Sequence, residues 1–207
     1  IQTYKESVHH QFVSTMANLK TLQQHSKAMY EDYWQDRNAV LDKKSQYANQ
    51  TFVVLANNND TRMATLVEKL QAQDIEVYVA EKSFKAKNAI DHSGKSQTAT
   101  IPKGSLVIPN RQPEARLLAA IMEFDATLLP TTVQEERQKI LREGQSIMYD
   151  TSAWNLTMMY GLEALTVPSH ITDDLIPYEK ASKPSTQANS NAIAWAINGE
   201  DDAAPGF

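Results

Sequence analysis

From Tyr4 to about Lys44 the chain runs without Pro or Gly, and apolar side chains return at Val8, Phe12, Met16, Leu19, Leu22, Met29, Tyr33 and Val40. That spacing predicts one long helix or two shorter ones with a single wide apolar face. The other face carries Lys5, Glu6, Gln11, Lys20, Gln24, Lys27, Asp36 and Lys43. The element is therefore expected to lie against a partner surface instead of crossing a core.

The pattern changes at Thr51. A short β-branched run (Phe52 to Ala56) leads through a polar turn to a helical stripe of Met63, Leu66, Val67 and Leu70, then to a second β run from Glu76 to Ala80. Strand, helix and strand within about thirty residues predict a βαβ unit with a right-handed crossover. Asn59 or Asp60 is placed to cap the helix. "KNAI" and "QTATI" around "DHSGKS" predict a hairpin turning near Ser93 and Gly94.

The strand-then-helix logic returns after Gly104. Leu106 to Ile108 is a β run, Pro113 suits a first helical position, and Leu117, Leu118, Ile121 and Met122 form a buried stripe. "TVQEERQKILREG" predicts a charged surface helix stopping at Gly144, and "LEALTVP" a further strand. Between them, Trp154, Met158 and Leu162 stand at core spacing. A buried helix is expected there, with Asp150, Thr151 or Ser152 at its start, Trp154 as a packing anchor and Gly161 as its stop.

The resulting organisation is a helical arm (1–46), an α/β domain (47–167), a linker or long loop rich in Pro, Ser, Thr and Asn (168–190), and the start of a further βα unit (191–207). The predicted fold class is α/β, a mainly parallel sheet flanked by helices and preceded by the arm. "WAINGED" echoes "VVLANNND", and "DDAAPGF" reads as the opening of a helix. With Ile as first residue, the chain is expected to be a piece of a longer protein.

Composition narrows the chemistry. At 207 residues there is enough chain for a true hydrophobic core. Twenty Lys and Arg against 25 Asp and Glu give a net charge of -5 with the basic residues scattered, so a nucleic-acid partner is not expected. No apolar run approaches the roughly 18 residues of a membrane-spanning helix. There is no cysteine, which removes disulfides, thiolate ligands and cysteine nucleophiles.

Three constellations could carry chemistry. Asn57, Asn58, Asn59 and Asp60 lie between a strand and a helix, where backbone N–H groups favour an anion, although the glycines of a phosphate-binding loop are missing. In a parallel sheet they would share the carboxyl-terminal edge with Asn110 and Gln112 and could hold a small polar ligand. His170 and Asp173 have the spacing of a metal pair, with no third ligand evident. Ser152, beside Asp150 and upstream of His170, is a candidate nucleophile without the G-x-S-x-G elbow. No metal site or catalytic residue is assigned.

"IPKGSLVIPNRQPEARLLAAIME" followed by "YDTSAWNLTMMYGLEAL" resembles the C-terminal region of bacterial zinc carboxypeptidase-like proteins of the carboxypeptidase A type. Gly104, Ser105, Ile108, Pro109, Gln112 and Pro113 match the first segment of that pattern. Tyr149, Asp150, Ser152, Ala153, Trp154, Leu156 and Gly161 match the second. The resemblance covers most of residues 51–167 and implies an amidotransferase-like or flavodoxin-like α/β fold, with the matching residues structural.

The resemblance further implies a zinc peptidase domain elsewhere in the parent protein, as partner of this chain, and an extracytoplasmic setting, periplasmic or secreted. No His-x-x-Glu occurs here, and the amidotransferase cysteine is absent. The expected function is thus a non-catalytic accessory region that packs on or regulates a zinc metallopeptidase. The alternatives are a stand-alone ligand-binding module and an independent hydrolase using Ser152 or His170.

Overall fold

The structure is a computed structural model that describes residues 3–57, 59–125, 127–148, 153–179 and 199–202. Helix α1 spans Tyr4–Ala39, 36 residues without interruption. Thr3 and Glu6 close its start as a reciprocal capping box, with Thr3 N–H donating to Glu6 at 2.8 Å and Glu6 N–H donating to Thr3 Oγ1 at 3.3 Å. None of its residues is buried. Its last turn is tied to the rest of the molecule by Arg37 with Glu114 and by Asp36 with Arg116 at 2.6 Å, and Val40 beyond it enters the core.

The remaining described elements are β1 (Thr51–Val54), α2 (Asp60–Gln71), β2 (Tyr78–Ala80), β3 (Phe84–Asp91), β4 (Ser96–Ile101), β5 (Leu106–Pro109), α3 (Ala115–Met122), α4 (Pro130–Glu143), α5 (Leu156–Met159), β6 (Ala164–Val167) and β7 (Leu175–Pro177). The seven strands form one curled sheet, a half-barrel, in the order β4-β3-β6-β1-β5-β2-β7. Every neighbouring pair is antiparallel.

This corrects the expected fold class: the sheet is not mainly parallel and is not an amidotransferase-like or flavodoxin-like layer. The β1–α2–β2 unit exists, and β1 and β2 run the same way, but β5 lies between them and opposes both. The misreading has a physical source. Strands β1 and β5 are buried at every position, which in a parallel sheet means helices on both faces. Here helices cover one face and the sheet covers the other by curling onto itself.

On the helical face, Phe52 and Val54 of β1 and Leu106 and Ile108 of β5 pack with Met63, Leu66, Val67 and Leu70 of α2 and Leu118 and Met122 of α3. On the concave face, Val53, Leu165 and Val167 pack with Ala86, Ala89 and Ile101 from the β3–β4 hairpin. A bulge between Ala86 and Ala89, with Asn88 at φ 55°, breaks the β3–β4 register and bends the hairpin toward that face.

Several boundaries agree with the pattern and others shift. Asn59 caps α2, accepting from Arg62 N–H at 3.0 Å, and Gly144 closes α4 in the left-handed conformation at φ 65°. Pro113 stands in the turn before α3, whose first residue is Ala115. The expected buried helix around Trp154 shrinks to the four residues of α5, capped by Asn155. Trp154 is 46% exposed and is no packing anchor. Part of the expected linker is the edge strand β7. No helix among the described residues is long and apolar enough to cross a membrane.

Candidate functional site

Antiparallel pairing separates the residues that a parallel sheet would have gathered. Asn57, Asn59 and Asp60 follow the end of β1, whereas Asn110 follows Pro109, which pairs with Thr51 at the start of β1. The two groups stand beyond opposite ends of that strand, which is itself roughly 10 Å long at ~3.3 Å per residue. One shared ligand edge does not form.

The anion expected at the start of α2 is supplied by the chain itself. Asp201 accepts from Thr61 N–H at 3.1 Å, and Asp202 takes a two-pronged grip from Arg62 at 2.8 and 2.6 Å. Asn59 Nδ2 also donates to Asp202 at 3.0 Å, and Asn57 accepts from Asn59 N–H at 2.8 Å. Arg62 first and Asn59 second hold the Asp202 carboxyl below the usual carboxylate range. The backbone donors and the dipole that would attract a foreign anion are therefore engaged. Asp60 is the first residue of α2, and Asn58 lies outside the described residues.

At the other end, Asn110 and Gln112 are buried. Gln112 accepts from Glu76 N–H at 2.7 Å and donates to the Pro109 carbonyl at 2.8 Å, which fastens the approach to β2 onto the end of β5. Asn110 Nδ2 donates to Gln50 Oε1 at 2.6 Å, while its Oδ1 is buried with no hydrogen-bond partner. Beside them a cleft of about 330 Å³ is lined by Glu76, Tyr78, Arg111, Gln112, His170 and Thr172. A second cleft of about 510 Å³, with Lys82, Lys85, Lys87 and the 168–174 segment in its walls, shares His170 with the first.

His170 is the pivot of this region. Its Nδ1 is buried and has no hydrogen-bond partner, a state that leaves a desolvated polar atom uncompensated. Burial, and then the Arg111 guanidinium, push its pKa below the ordinary 6.5 and favour the neutral ring. Tyr78 donates to Glu76 at 2.8 Å, and that bond raises the tyrosine pKa. The Tyr78 proton is taken by Glu76, which leaves the Arg111 guanidinium and the His170 ring as the groups of this cleft that could meet a small polar ligand. Arg111 was within reach of the sequence reading, since it stands between Asn110 and Gln112; Glu76 and Tyr78 join only through β2.

The suggested His170–Asp173 metal pair gains no further ligand. Asp173 is exposed, Asp174 bonds Lys82 at 2.9 Å, and no group of three or more His, Asp or Glu suited to a metal occurs among the described residues. A further cleft of about 730 Å³ runs between residues 46–50 and α3, lined by Gln46, Tyr47, Gln50, Arg116 and Glu123.

The residues that carried the resemblance have structural work where they are described. Gly104 adopts φ +87°, Ser105 Oγ accepts from Ala56 N–H at 3.1 Å, Ile108 is core, and Gly161 adopts φ +60°. Tyr149, Asp150 and Ser152 lie outside the described residues, as does most of the 191–207 segment. A polar chain that sequence reading missed runs from the hairpin turn to α5. His92 Nε2 meets Thr157 Oγ1 at 2.7 Å, and that hydroxyl donates to Asn155 Oδ1 at 2.9 Å, so Nε2 is the donor to Thr157.

Comparison with known proteins finds no family model, no curated protein and no solved structure that matches the chain.

Proposed function

We propose that this chain is a non-catalytic accessory region of a zinc carboxypeptidase-like protein, in which the half-barrel is a rigid platform and α1 is the docking element. The observation that carries the reading is α1 itself: 36 helical residues, with exposed apolar side chains from Tyr4 to Trp34 and not one buried residue. Isolated helices gain little from propensity alone, so a stripe of this length is expected to be covered by another surface. The link to the peptidase family rests on the two motif segments, whose described residues act as turn and core positions. Among the described residues no group of three or more His, Asp or Glu is placed to hold a zinc ion, and the proposal places none in this chain.

The experiment is to read the genomic frame upstream of Ile1. An in-frame domain with His-x-x-Glu and a later His supports the reading; a start codon immediately before Ile1 with no such domain defeats it.

A second reading, a small-ligand module, is favoured by Arg111 and His170 in the walls of the 330 Å³ cleft. Thermal-shift titration with small carboxylates and inorganic phosphate tests it. Stabilisation that Arg111→Ala removes supports the module, and no shift with any anion removes it.

A further inference from the structure

The exposed stripe of α1 can meet a second copy of itself, and the charges at its two ends favour one direction. Phe12, Leu19, Tyr33 and Val40 fall on one seven-residue series together with Lys5 and Ser26, and Val8, Leu22 and Met29 fall on the second series together with Thr15 and Asp36. These are the two seam positions of a coiled coil. The seam is exposed where it runs along the arm, with Phe12 64%, Leu19 55% and Leu22 50% accessible, and it is buried at Val40 where it reaches the core.

Laid against a second copy in antiparallel register, the two series meet each other. Leu19 then stands opposite Leu22, Phe12 opposite Met29 and Val8 opposite Tyr33. The small polar pair Thr15 and Ser26 also coincide, and the Thr15 hydroxyl already donates to the Gln11 carbonyl at 2.9 Å, so its methyl can enter a dry seam. At each end Lys5 of one copy stands opposite Asp36 of the other. A parallel, in-register pair would instead stack Lys5 on Lys5 and Asp36 on Asp36, and like charges at the seam disfavour that orientation.

We infer that α1 is a homodimerisation arm that pairs antiparallel with α1 of a second copy of this chain. The inference rests on the accessory reading only in taking α1 as the docking element, and it names the partner. Asp36 binds Arg116 through one oxygen, and a carboxylate has two, so the contact with the second copy's lysine does not require the first to break. The pairs Asp36–Arg116 and Arg37–Glu114 hold the last turn of α1 on α3, which orients the arm before it meets its partner.

The test uses sedimentation equilibrium of the whole chain with charge-reversed variants. The wild type is expected to dimerise, and K5D alone and D36K alone to bind themselves at least about tenfold more weakly, since each creates two like-charged contacts per dimer. A mixture of K5D with D36K restores both contacts and is expected to form a heterodimer close to wild-type strength. Because the chain has no cysteine, F12C mixed with M29C gives a specific oxidative cross-link in the antiparallel register.

A wild type that stays monomeric overturns the inference, and so does a dimer in which F12C cross-links only to itself. So does a dimer in which K5D, which leaves the Asp36–Arg116 pair intact, binds itself as tightly as the wild type. A monomeric wild type leaves the upstream reading frame untouched, so the failure of this inference and of the accessory reading are told apart.

Discussion

Helix α1 and strand β1 end in opposite environments. The helix has 36 residues and buries none; the strand has four and buries all. The helix carries the longer apolar pattern, yet its stripe is spread over about 54 Å at ~1.5 Å per residue, farther than one small domain can cover. The strand is central in the sheet, with β5 and β6 on its two edges and side chains packed above and below. An apolar pattern states a demand for burial, and chain geometry decides whether this copy of the chain can meet it.

The largest test of that contrast is a matched pair of truncations. Leu66→Ala in α2 is expected to lose about 2–5 kcal/mol through lost burial and a cavity. Leu19→Ala, measured at a concentration where the chain is monomeric, is expected to change stability by no more than about 0.5 kcal/mol. Urea unfolding followed by circular dichroism compares them, and equal losses would break the distinction between the two regions.

Gln112→Ala sharpens the half-barrel side. It leaves the Glu76 N–H and the Pro109 carbonyl without the partner they have here, an expected cost of about 1–3 kcal/mol with the fold retained. A neutral result would mean that water replaces the side chain. Gly104→Ala tests backbone shape alone, since the added Cβ would meet Ala56 Cβ at an ordinary 3.8 Å while φ stays at +87°. A loss of about 1 kcal/mol is expected from the conformation.

The smallest effect is on pH. His92 and His170 both have a pKa lowered from 6.5, burial being the first cause in each, opposed at His92 by Asp91 and reinforced at His170 by Arg111. The unfolded chain therefore takes up these protons first. Their contribution is complete above about pH 6.5 and is lost as the pH falls through the folded values. Urea midpoints should drop between pH 7.5 and 5.5, and the drop should shrink in His170→Gln. An unchanged drop in that variant would assign the effect to other groups. Carboxylates held low by hydrogen bonds, such as Glu136 with Ser146 and Asp202 with Arg62, add a separate loss at more acidic pH.

Much of the local structure could be read from the chain. The stripe Met63, Leu66, Val67 and Leu70, the Asn59 cap, the hairpin at Gly94 and the Gly144 stop all follow from short-range chemistry, and the structure has each of them. The helix expected around Trp154 fails because Asn155 caps a later, shorter turn, accepting from Met158 N–H at 2.8 Å and donating to the Glu123 carbonyl. The candidate site fared unevenly. Asn57, Asn59 and Asp60 were placed correctly at a helix start, but Asp201 and Asp202 arrive from 140 residues away to occupy it.

What the sequence by itself determined is therefore most of the elements between Tyr4 and Gly144, together with the Asn59 cap and the Gly144 stop. These depend on residues within a turn or two of one another. Strand direction, the placing of β5 between β1 and β2, and the meeting of Arg111, Tyr78 and His170 in one cleft were decided only in three dimensions. A fully buried strand carries the same apolar run whether its second face meets helices or the sheet's own curl, and nothing within the run distinguishes the two.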